Sequence, residues 1–162
     1  MFKLISKTLA AVAMVSVALF GSANAKTLKI ETHFTASSPN GEVAAQFAKN
    51  VENFSGGSLK IEMFYSSSVT GKSAEVFNSA QTGIIDCDMT GAGYQTGKNA
   101  AFQFAGDVMG GYDNPYQQYE FLNFPGAQEA VDALYNKYGM TLIGWWIPCL
   151  LYTSPSPRDL WI

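Results

Sequence analysis

Histidine is nearly missing from this chain. His33 is the only one in 162 residues, so a histidine-built metal cluster or a His-dependent catalytic triad has almost no material. Basic residues are also scarce: 10 Lys+Arg stand against 13 Asp+Glu, for a net charge of -3. No Lys/Arg cluster is present to neutralise phosphates, which argues against a nucleic-acid partner. There are two cysteines. Cys87 sits in the apolar run "IIDCDM" and Cys149 opens an unpatterned tail. Two cysteines can pair in an exported protein, but a buried free Cys87 suits its run better. After the first 25 residues, no apolar stretch reaches the roughly 20 residues a spanning helix needs.

What is present begins with an export signal. "MFKLISKTLAAVAMVSVALFGSANA" has a basic start at Lys3 and Lys7, an apolar run from Leu9 to Phe20, and a small-residue exit at Ala23-Asn24-Ala25. This is the pattern of a cleavable Sec signal peptide, and it predicts a mature start at Lys26 in the periplasm. No lipobox cysteine stands at the cleavage point, so the expected product is free and spans no membrane.

The periodicity then alternates between strand and helix. "LKIETHF" (Leu28–Phe34) is a short strand run. Val43, Ala44, Phe47, Ala48, Val51 and Phe54 recur at helical spacing. Ser38-Pro39 suits the start of that helix and Gly56-Gly57 its stop. "SLKIEMF" alternates as a half-buried strand, "SAEVFNSAQTG" is a short helix, and "IIDCDM" is a third strand. This β-α-β-α-β order predicts an α/β fold with a mostly parallel sheet and right-handed crossovers. Helices are expected from about Asn114 to Leu122 and over "GAQEAVDALYNKYG", followed by a fourth strand, "MTLIGWW". Ile30, Phe47, Val51, Ile61, Phe77 and Ile85 are the expected core.

Ligands of open α/β sheets bind beyond the carboxyl ends of the strands. Those ends are "THFTASSPN", "YSSSVTGKS" and "TGAGYQTGK". They offer hydroxyl, amide and phenol groups without strong charge, as a binding cleft for a polar ligand does, or as ordinary solvated loops do. Two motifs fall short. Gly71-Lys72-Ser73 ends like a P-loop, but Ser66 stands where G-x-x-x-x-G-K-[ST] requires its first glycine. Gly91, Gly93 and Gly97 miss the G-x-G-x-x-G spacing by one residue. Asp86 and Asp88 flank Cys87 on one strand face. Such a pair can do acid–base chemistry, bind a metal, cap a helix or reach solvent. No nucleophile elbow G-x-S-x-G is present, which tells against a secreted α/β hydrolase.

"FAKNVENFSGGSLKIEMF", "SAEVFNSAQTGIIDCDM" and "GYQTGKNAAFQF" resemble the solute-binding proteins of TRAP (tripartite ATP-independent periplasmic) transporters. The resemblance runs from about Leu28 to Trp146. Its nearest branch binds keto acids and related organic acids and carries a "YWAGK"-like stretch. Tyr94 and Lys98 match the ends of that stretch, and Gln95 stands where the branch has Trp.

The resemblance implies a periplasmic-binding-protein lobe with strand order beginning 2-1-3. It implies no enzyme activity and no cofactor, a carboxylate ligand, and two TRAP membrane subunits as partners. Ligand contacts are expected from His33, Ser68, Glu75 and Tyr94, with no metal ligand among them. The family's carboxylate-clamping arginine lies in sequence downstream of the match, so Arg158 is not expected to be that clamp. The expected organisation is a signal peptide at 1–25, part of lobe one at 26–148, and a foreign or disordered tail at 149–162. On this reading the chain is a truncated fragment whose second lobe is missing. The alternative is the binding protein of an ATP-driven importer, which shares the two-lobed logic.

Overall fold

A computed structural model of the chain describes residues 25–106, 108, 111–112 and 114–146. The expected leader (apart from Ala25) and the tail from Ile147, with Cys149 and Arg158, lie outside the described residues.

Three parallel strands form the sheet: β1 (Lys26–Thr32), β2 (Leu59–Phe64) and β3 (Cys87–Met89), in the expected order β2-β1-β3. Helix α1 (Pro39–Phe54) links β1 to β2, and α2 (Val76–Gln81) links β2 to β3. The first crossover steps one way across the sheet and the second steps back. Right-handed connections therefore put α1 and α2 on opposite faces. Helices α3 (Pro115–Asn123) and α4 (Pro125–Asn136) follow.

Local chemistry sets these boundaries. Ser38 caps α1 by accepting from the Gly41 amide at 3.0 Å, with Pro39 next to it. Gly41 is buried so close to the Thr35 and Ala36 carbonyls that a β-carbon there would collide with backbone, which packs the start of α1 tightly on the loop leaving β1. Strand β3 is shorter than "IIDCDM" predicts, because the Ile84 and Ile85 amides donate to Ser79 O and close α2 instead. Strand β1 ends at Thr32 rather than Phe34, and His33 and Phe34 turn off into the loop.

The fourth strand does not form. Residues 140–146 join no ladder among the described residues. The Leu142 amide donates to the Asp132 carboxylate at 3.2 Å. Met140, Leu142 and Trp145 pack instead on an aromatic core. That core gathers Phe77, Ala92, Phe102, Ala105, Val131 and Leu134. Phe77 and Phe102 meet edge to face at 5.8 Å, with the Tyr135 and Tyr138 rings within 6.0 Å.

Ile30, Phe77 and Ile85 are buried as expected, while Ile61 and Val51 are half-buried. Phe47 is a correction: it is 36% exposed, and Val43 and Phe54 are more exposed still. The apolar face of α1 is two stripes wide. Gly41, Ala44, Ala48 and Val51 are buried or half-buried, while Val43, Phe47 and Phe54 on the neighbouring stripe stay exposed.

Candidate functional site

Because all three strands are parallel, their carboxyl ends share one edge, and three loops meet there. The Ser67 amide donates to Thr32 O at 3.1 Å and the Ser66 amide to Phe34 O at 2.9 Å, stitching the second loop to the first. The Tyr94 ring meets His33 edge-on at 5.3 Å, joining the third. His33 also stacks against Phe34 at 3.9 Å, and Phe34 lies 5.4 Å from Trp146. The edge therefore carries an aromatic wall of His33, Phe34, Tyr94 and Trp146, with the exposed Ser68 on the adjoining loop.

The second loop holds an unusual backbone. Ser66 and Ser67 both have positive φ, 57° and 51°, a conformation that costs non-glycine residues about 1 kcal/mol or more each. Internal bonds offset that cost. The Ser68 amide donates to Tyr65 O and the Gly71 amide to Ser67 O. The Val69 and Thr70 amides donate to Glu31 Oε1 at 2.6 and 3.4 Å. The amides of 66 to 71 are thus all used within the protein, so this loop offers no cradle of free N–H groups to a phosphate. That is the structural reason the P-loop likeness fails.

His33 and Tyr94 are brought together, and Ser68 follows Ser66 and Ser67 on the loop whose amides bond to the end of β1 and to Phe34. Glu75 is not brought to them by any recorded contact. Its Oε2 accepts from Asn78 Nδ2 at 2.7 Å, and Asn78 Oδ1 accepts from Lys98 Nζ. Lys98 also lies 5.1 Å over the Phe77 ring. Glu75 and Lys98 are therefore engaged on the face of α2. Gln95, standing where the related stretch has Trp, is buried and donates to Ala74 O at 3.2 Å, tying the third loop to the approach to α2.

Residue typing alone missed Glu31. It is 0% exposed and pairs in register with Asp88 on β3. The signal was an acid inside an apolar strand run, "KIETHF". Asp86 and Asp88 do not act together. Asp86 Oδ2 accepts from the Lys29 amide at 2.8 Å at the edge of the ladder, whereas Asp88 is half-buried with its Oδ1 shut off from solvent. Burial pushes the Asp88 carboxyl up to about 6; the Thr90 donors nearby oppose this, and the Glu31 charge adds to it. Burial also lowers the His33 imidazole below its ordinary value, which favours its neutral form. Among the described residues, no three His, Cys, Asp or Glu side chains are grouped to hold a metal. Cys87 is free and half-buried, its thiol pushed up by burial and then by Asp86 and Asp88.

The sign of the Asp88 shift gives a stability prediction. A folded value of about 6 against 3.8 means that the folded state holds the proton more tightly than the unfolded one. The associated stability is complete below about pH 3.8 and is lost as pH rises through about 6. Asp88→Asn should match the wild type near pH 4 and exceed it near pH 8 by roughly 1–3 kcal/mol in urea melts. A gap that does not change with pH would remove the shift.

Residues 30–149 match the model of the bacterial extracellular solute-binding proteins, family 7. The chain belongs to that family. No curated protein matches it by sequence.

A TRAP periplasmic solute-binding protein from Rhodobacter sphaeroides, solved in an apo open form, aligns at 27% identity and a TM-score of 0.68, over 74% of this chain and 38% of its own. Two others are similar in fold. One is a TRAP periplasmic solute-binding protein from Pseudoalteromonas atlantica with bound sodium and pyruvate, at 20% identity and TM-score 0.65, covering 72% and 35%. The other is a Bordetella pertussis extracytoplasmic solute receptor binding pyroglutamic acid, at 20% identity and TM-score 0.62, covering 72% and 38%. The chain thus spans little more than a third of the length of these relatives. The α/β sheet of order 2-1-3 is that of a family 7 lobe. No described helix is long and apolar enough to cross a membrane.

Proposed function

We propose that this chain carries part of lobe one of a periplasmic solute-binding protein that captures a small organic acid for a TRAP transporter. The observation that carries the reading is the meeting of His33, Phe34 and Tyr94 at the carboxyl edge of a parallel sheet in a family 7 chain. Export by the Met1–Ala25 leader and delivery to two membrane subunits belong to the same proposal. So does the view that a second lobe supplies the arginine and the opposite wall.

The ligand edge offers neutral hydrogen-bond donors and aromatic rings, which suit the carbonyl and hydroxyl groups of a small acid while a second lobe meets its carboxylate. His33, Ser68 and Tyr94 are the proposed contacts. Glu75, already bonded to Asn78, has the weaker case of the four.

The test joins this lobe to the remainder of the Rhodobacter sphaeroides relative and measures binding by calorimetry with keto, hydroxy and dicarboxylic acids. His33→Ala and Tyr94→Ala should each weaken binding about tenfold, since each removes one polar partner and its packing. Glu75→Gln should change it little. Binding untouched by all of these variants would remove the site from this edge.

A further inference from the structure

Among the described residues, five buried side-chain polar atoms lack a hydrogen-bond partner, and four of them lie together at the carboxyl ends of β1 and β3: Glu31 Oε2, His33 Nδ1, Asp88 Oδ1 and Thr90 Oγ1; Thr90 still stands close enough to Asp88 to oppose the rise of its carboxyl. Glu31 and Asp88 are register partners on adjacent strands, and His33 and Thr90 lie two residues further along. Leaving such groups unpaired is costly. Two neighbouring carboxylates in a dry site cannot both stay ionised without a counter-species. Among the described residues neither acid has a basic partner, and no metal-holding group of three is found.

We propose that Glu31 and Asp88 form a proton-binding pair at the ligand edge, in which the Asp88 carboxyl donates to Glu31 Oε2 and so fixes the loop of residues 66–71. One proton converts an acceptor into a donor and satisfies an oxygen of each acid. Glu31 Oε1 is then left to accept from the Val69 and Thr70 amides, an arrangement an ionised carboxylate fills well. The raised Asp88 value agrees with this assignment.

The surrounding groups do not compete for the role. Phe64 stands beside Glu31 on β2. From α4, Tyr135 faces Asp88 and is itself pushed up to about 12, by burial and then by Asp88. Cys87 precedes Asp88 in β3 and is raised by burial and both aspartates. Burial lowers the His33 imidazole and so disfavours a charge on it. Phe64, Tyr135 and Cys87 supply no positive charge. Loss of the proton leaves two like charges side by side, and Glu31, which anchors the loop, is one of them. The pair would thus make the order of the Ser68 loop depend on pH. This consequence rests on the proposed function, because that loop borders the proposed site; the proton site itself does not depend on any ligand.

The test is carboxyl-carbon NMR on the full chain, without ligand, from about pH 4 to pH 8. The Asp88 Cγ resonance should titrate near pH 6, and the Glu31 Cδ resonance should move through the same midpoint. Amide protection at Val69 and Thr70, corrected for intrinsic exchange, should fall about tenfold across that midpoint and stay flat in Asp88→Asn. Glu31→Gln should lower the Asp88 midpoint only part of the way, because burial, the larger cause of its rise, remains. An Asp88 midpoint below about 5, or a Glu31 resonance that ignores it, overturns the pair. So does a titration abolished by millimolar calcium or sodium, which would assign the site to a cation.

Discussion

Phe77→Ala should cost about 3–5 kcal/mol of folding stability, a large share of the roughly 5–15 kcal/mol that holds a typical domain together. Phe77 is 0% exposed and belongs to α2, the link between β2 and β3. Its ring touches Phe102, Tyr135 and Tyr138, which come from two further segments, and Lys98 lies over its face. Truncation leaves a cavity that those rings cannot fill without breaking their edge-to-face contacts, and it strips Lys98 of its aromatic partner. Phe47→Ala is the internal control. Its ring is 36% exposed, so the loss should stay near 1 kcal/mol. Urea melts of both variants decide the matter. A Phe77 loss no greater than the Phe47 loss would mean that the aromatic cluster is not the core.

The fold was legible where periodicity and punctuation agreed. The α1 helix was bracketed by Ser38-Pro39 and Gly56-Gly57 and runs Pro39–Phe54. The alternation in "SLKIEMF" became β2. Which stripe of α1 would be covered was not legible. Burial on a face depends on how far the neighbouring sheet extends, and a hydrophobic spacing carries no such information. The fourth strand failed for a related reason. "MTLIGWW" has strand-like residues, but a strand needs a partner ladder, and here the Leu142 amide is taken by Asp132.

Loop composition pointed to the carboxyl edge of the sheet, where the proposed contacts lie. Tyr94 and His33 meet there, as their place at the strand ends implied. The partners that fix the edge were harder to see. Glu31 and Asp88 lie 57 residues apart in the chain and become neighbours only through strand register. The pairing of Glu75 with Asn78 is a local side-chain arrangement that the sequence leaves open.

The 162-residue chain by itself should bind no organic acid at micromolar strength, whereas the same lobe joined to a family second lobe should bind at least about a hundredfold more tightly. The reason is desolvation. A carboxylate leaving water needs charge-assisted partners on more than one side to recover its hydration. The described edge supplies an imidazole whose charged form burial disfavours, a tyrosine, serine hydroxyls and aromatic faces, all from one wall. Of the two lysines on its loops, Lys98 is already bonded to Asn78 and Gln81, and Lys72 is exposed to water. Its buried acids, Glu31 and Asp88, repel an anion if they do anything to it. Relatives of this fold have chains well over twice the length matched here. Closure of a second wall would both exclude water and multiply the contacts made by each ligand atom, which is how hinge-closing binding proteins gain affinity. Calorimetry on the two proteins side by side, with keto, hydroxy and dicarboxylic acids, is the measurement. Micromolar binding by the chain alone would show that His33, Ser68 and Tyr94 suffice to hold the ligand, and that the carboxylate is met from this lobe and not from the opposite wall.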